Sequence, residues 1–77
     1  MLIPFWFKTN YGLDYGVTAA SQIEAEECLR EYGYPPEGVE VTEVIRNIQH
    51  KDIEQNHVAP NAGPMVVHGV WYPWRNT

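Results

Sequence analysis

The chain has 77 residues, 44 % hydrophobic and 19 % charged, with ten aromatic side chains and a net charge of −5. That length makes one domain, residues 1–77, and that aromatic content excludes a disordered chain. The five lysines and arginines are dispersed, which excludes the clustered cations that direct nucleic-acid binding requires. No apolar run approaches the ~20 residues of a membrane-crossing helix.

The acidity is local. Residues 24–43 hold seven glutamates against Arg30, a net of −6. Cys28 is the only cysteine, so no disulfide can form within the chain, and a reducing, cytoplasmic setting is favoured. The first apolar run, Leu2 to Phe7, is too short for a signal-peptide core and has no basic leader.

Leu2 to Phe7 reads as a strand rich in β-formers, with Pro4 suited to an edge or a strand start. Thr9 to Asp14 is a turn, and Tyr15 to Ala19 is a second short strand, close enough to the first for an antiparallel hairpin. Ser21 and Glu24 then match a capping box, Gly33 fits the helix end, and Pro35-Pro36 forbid continuation. Between these signals Ala25, Cys28, Leu29 and Tyr32 form one apolar stripe. Glu24, Glu27 and Glu31 lie on the opposite side, and Ile23 either covers a neighbouring loop or is exposed.

Residues 39–48 fit two periods. Val39 and Val41 alternate with polar neighbours as in a strand, while Val41, Val44, Ile45 and Ile48 also match helical spacing. The β-branched content favours a strand with a bulge near Glu43. Asp52 to Gln55 fits a single capped turn, residues 58–64 a proline and glycine loop, and Met65 to Tyr72 a last strand ended by Pro73. The order ββαββ predicts an α+β two-layer sandwich: a mostly antiparallel sheet with one helix packed on one face.

No residue pattern specifies chemistry. His50, His57 and His68 stand seven and eleven residues apart, unlike the short paired spacings of structural zinc sites, and Cys28 is remote from all three in the chain. No metal ligand set and no cofactor motif is expected. Cys28 on the buried stripe reads as a small hydrophobe rather than a nucleophile. Glu24, Glu27 and Glu31 form an acidic face that solvates the helix or docks a basic partner.

The aromatic residues are more suggestive. Phe5, Trp6 and Phe7 lie near one end of the chain, and Trp71, Tyr72 and Trp74 near the other. Neighbours in a strand face opposite sides, so Trp6 should point away from Phe5 and Phe7, and Tyr72 away from Trp71. One helix cannot cover both faces of such strands. Part of this ring surface is therefore expected in the core and part outside, as an interface anchor or a dimer-buried patch.

Two stretches carry a resemblance. Tyr15-Gly16-Val17-Thr18-Ala19 with the capped helix, and His57-Val58, Pro60-Asn61 and Gly69-Val70-Trp71-Tyr72-Pro73, resemble the two halves of a group of short uncharacterised bacterial proteins of unknown function. The resemblance implies a bacterial cytoplasmic setting and singles out His57, Asn61 and Trp71. Asparagine and histidine side chains at such places also serve simply to satisfy loop backbone groups.

The sequence therefore points to a non-enzymatic module that binds a protein partner or itself, without direct nucleic-acid or membrane contact. The candidate binding residues are Trp6, His57, Asn61, Trp71, Tyr72, Trp74 and Arg75. Two alternatives stand beside it: a small-molecule or enzymatic role around the His57–Asn61 loop with Trp71 and Tyr72, and an acidic inhibitor of a basic or nucleic-acid-handling protein.

Overall fold

The computed structural model describes residues 1–73. Trp74 and Arg75, two of the candidate binding residues, lie outside them. The strands are β1 (Ile3–Thr9), β2 (Tyr15–Ala19), β3 (Val41–Arg46) and β4 (Gly69–Tyr72), with helix α1 (Gln22–Glu31) after β2. They form one four-stranded sheet in the order β3-β1-β2-β4, antiparallel at every pairing. The fold is thus the expected α+β arrangement, with the helix packed on the sheet.

The local reasons are those of the sequence. The Ser21 hydroxyl accepts the Glu24 N–H at 3.2 Å, starting α1. The other half of the expected capping box is used elsewhere, because the Glu24 carboxylate meets His68 at 2.6 Å. Past the helix, Gly33 takes φ +80°, and its N–H reaches the Arg30 carbonyl. Ala25 and Leu29 are buried, and Cys28 packs against the same core half-exposed, but Tyr32 and Ile23 are out in solvent. Residues 41–46 are strand, and the slip of alternation falls where expected. Lys8 pairs with Glu43 and Thr9 with Val41, leaving Thr42 as the extra residue.

The helix side of the sheet holds Phe5, Phe7, Tyr15, Val17 and Val70 with Ala25 and Leu29. The opposite side is also covered. Residues 47–65, irregular apart from 3-10 turns at His50–Asp52 and Ala59–Asn61, fold back over it. Ile48 and Ile53 are buried there with Trp6 and Trp71, and Val58, Ala59, Ala62 and Met65 pack around them. Backbone hydrogen bonds hold this cover in place. Ile48 N–H donates to Pro4 O at 3.0 Å, and Gly63 N–H to Trp71 O at 2.7 Å. The buried Thr18 hydroxyl donates to Met65 O at 2.6 Å.

This cover corrects the expectation of a surplus of ring surface outside. Trp6 is 6 % exposed and Trp71 1 % exposed in a single chain. The alternation at the last strand is corrected as well. Gly16 pairs with Tyr72 but Val17 with Val70, so Trp71 is the extra residue of a bulge. Trp71 and Tyr72 consequently turn to the same side, and both join the cluster around Trp6. The last strand is shorter than expected too: Met65 to His68 approach it without joining the ladder.

Candidate functional site: a cleft at the end of the sheet

Trp6 stacks on Trp71, ring centres 5.7 Å apart, and meets Tyr72 at 5.6 Å. On the helix side Tyr15 stacks on Tyr34 at 4.7 Å, the planes 20° apart. The two ring pairs approach each other where β2 begins and β4 ends. There they line a cleft of about 430 Å³ with Leu13, Asp14, Pro36, His57 and Val58. That volume lies in the range of small-ligand pockets, and the lining is mainly apolar and aromatic, as such pockets are.

Each wall has a structural cause. The β1–β2 turn brings Leu13, which is 56 % exposed, and Asp14, whose Oδ1 accepts the Thr9 N–H at 3.1 Å. The stop after α1 returns the chain as Tyr34 and Pro36. His57 is set by a carboxylate cap: Glu54 Oε1 accepts the N–H groups of His57 and Val58, and Oε2 accepts that of Asn56. These bonds, those from His57 and Val58 first, hold the Glu54 carboxyl below the usual glutamate range.

The pH dependence of this turn has a definite sign. A depressed folded-state pKa stabilises the turn above the ordinary value, and the contribution is lost as pH falls through the lowered one. The Asn56, His57 and Val58 amide resonances are therefore expected to titrate together below 4.5, the ordinary value. Glu54→Gln should abolish that titration. A midpoint at or above the ordinary value would contradict the cap.

The expected site residues separate. Trp6, His57 and Tyr72 come together in the cleft. Asn61 does not line it: its side-chain amide donates to His57 O at 2.6 Å, so it braces the turn. Trp71 is buried beneath, behind Trp6 and Tyr72. Tyr15, Tyr34, Asp14, Leu13 and Pro36 were not anticipated. The run Tyr32-Gly33-Tyr34-Pro35-Pro36, rings and prolines directly after a helix stop, is the signal that could have found part of this wall.

The helix carboxylates sit differently from expectation. Glu24, Glu27 and Glu31 share a face, but that face borders the Cys28 edge of the stripe rather than lying opposite it. Burial first, then Glu31, Glu24 and Glu27, pushes the Cys28 thiol up. The fold also brings His68 to Cys28, its Nε2 lying 3.8 Å from the sulfur. The same nitrogen is 2.6 Å from Glu24 Oε1. A nucleophile–base–acid relay uses the two ring nitrogens for two different partners. Here one nitrogen faces both, and the neighbouring charge opposes the thiolate. Cys28 is therefore not built as a nucleophile.

Among the described residues no three His, Cys, Asp or Glu side chains are placed to hold a metal ion, and no helix is long and apolar enough to cross a membrane. Comparisons with protein-family models, with curated proteins and with solved structures return no match for this chain. The fold and the cleft define a small α+β domain with an aromatic-walled concavity at one end of its sheet.

Proposed function

We propose that the chain is a non-enzymatic binding domain and that its recognition site is the cleft between the Tyr15–Tyr34 and Trp6–Tyr72 ring pairs. The carrying observation is the convergence itself. Five separate stretches of chain, around residues 6, 13–15, 34–36, 57–58 and 72–73, meet around one concavity sized for a small ligand. Aromatic walls with few polar groups favour a compact, ring-bearing or alkylated molecule over a sugar or a phosphate ester. Among the described residues no activated nucleophile and no pair of carboxylates lines the cleft, which favours binding over turnover. Trp6 and Trp71, two of the terminal rings, lie inside the fold and offer no surface for association. The single thiol, protonated and half-buried, suits a reducing cytoplasm.

The test is a titration of the isotope-labelled protein with ring-bearing fragments, read by amide shifts. Shifts should gather at Asp14, Tyr34, His57 and Tyr72. They should disappear in Leu13→Arg, which fills the cleft from an exposed position without removing core contacts. Fragment binding mapped to other surfaces, or unaffected by Leu13→Arg, would refute the assignment.

A further inference from the structure

Resting on the cleft reading above, we propose that the ligand is a free organic ammonium ion, a quaternary or heavily alkylated amine, held by the four aromatic rings with Asp14 as its counter-ion. Trp6, Tyr15, Tyr34 and Tyr72 all line the cleft, Tyr15 and Tyr34 as a stacked pair and Trp6 with one face on Trp71. Tryptophan and tyrosine carry negative potential over their ring faces and attract cations within about 6 Å of the ring centre. Alkylated ammonium ions suit such walls because their charge is spread over methyl groups, so they surrender little hydration on entering.

The charges around the cleft agree. Among the described residues Asp14 is the only carboxylate lining it, and no lysine or arginine does. Asp14 is half-buried and fixed by the bond from Thr9 N–H, so its charge is held at the cleft wall. Burial first, then Tyr34 and Asp14, pushes the Tyr15 hydroxyl up; the burial part opposes charge of either sign, and the Asp14 part opposes negative charge alone. An anion is thus disfavoured, and a neutral ring gains nothing from Asp14. The net charge of −5 raises the concentration of cations near the surface as a whole.

The discriminating pair of probes is choline and its neutral carbon isostere, 3,3-dimethylbutan-1-ol, titrated separately at low salt. They match in shape and differ in charge. Choline should bind about tenfold tighter or more and shift the amides around Asp14, Tyr34 and Tyr72. In Asp14→Asn, which can still accept from Thr9 N–H and so keeps the turn, the preference for choline should fall to within about threefold. Tyr34→Leu should weaken choline more than the isostere.

Equal binding of the two probes to the native chain would overturn the ammonium assignment and leave the cleft reading standing. Binding of neither probe, with no fragment held there, would remove both. Tight capture of a trimethyllysine peptide but not of choline would overturn the assignment to a free small molecule.

Discussion

Gly16→Ala is expected to lower the stability of the domain by roughly 1–3 kcal/mol, a cost relieved when Trp71 is shortened as well. A β-carbon built on Gly16 falls 2.5 Å from Trp71 Cη2 and 2.6 Å from both Cε2 and Cζ2. The indole cannot easily yield. It is 1 % exposed, stacked on Trp6, and set by a bulge whose partner is Gly16 itself. A one-carbon addition must therefore displace either the ring or the strand. For 77 residues, whose whole stability is of the order of 4–12 kcal/mol, that is a large fraction. Denaturant titration of Gly16→Ala, Trp71→Leu and the double variant gives the coupling. The alanine should cost distinctly less in the Trp71→Leu background. Strict additivity would mean that the close approach is not the reason for glycine here.

Much of the fold is legible because its signals are local. Ser21, Gly33 and the two prolines bracket the helix, and Tyr15 to Ala19 alternates as a strand of a hairpin should. Residues 41–46 were ambiguous because both faces of this edge strand carry aliphatic groups: Val44 packs toward the helix-side core and Ile45 toward the Trp6 cluster. The second cover is a different matter. Ile48, Ile53 and Val58 fall five residues apart, neither a twofold nor a 3.6-residue period, and the helix-like spacing of Val58, Ala62 and Met65 is interrupted by Pro60, Gly63 and Pro64, so the segment is not a regular element. Periodicity therefore says nothing about where they go.

One short helix covers only one face of the two aromatic strands, and Trp6 and Trp71 lie on the other. What covers that other face is not legible in the sequence, since an irregular segment can cover a sheet as well as a helix does. The same cause hid the site. His57 and Tyr72 are named by the sequence, but their meeting with Tyr15, Tyr34 and Asp14 depends on how residues 47–65 close and on a bulge at Trp71 that alternation alone does not disclose.

Trp71→Ala carries the largest expected loss, about 3–5 kcal/mol, and its pattern should be uneven. Trp71 is the most deeply buried of the contacts between residues 47–65 and the sheet, beside Trp6 and the bonds from Ile48 N–H to Pro4 O and from the Thr18 hydroxyl to Met65 O. Removing the indole leaves Trp6, Ile48 and Ile53 facing a void on that side. The helix-side core of Phe5, Phe7, Val17, Ala25 and Leu29 is not touched by the ring, being on the other face of the sheet. The irregular cover makes few ladder hydrogen bonds and should be the first unit to open once its anchor is gone.

Amide exchange in Trp71→Ala should consequently become fast at Ile48 and Gly63, whose N–H groups bond Pro4 and Trp71. Protection within Gln22–Glu31 should persist until global unfolding. Trp71→Phe, which keeps a ring against Trp6, should restore most of the protection. Equal loss in the helix and in the cover would show that the two faces of the sheet unfold as one unit. The cleft would then be a feature of the whole fold, since Trp6 and Tyr72 reach it only while residues 47–65 remain seated.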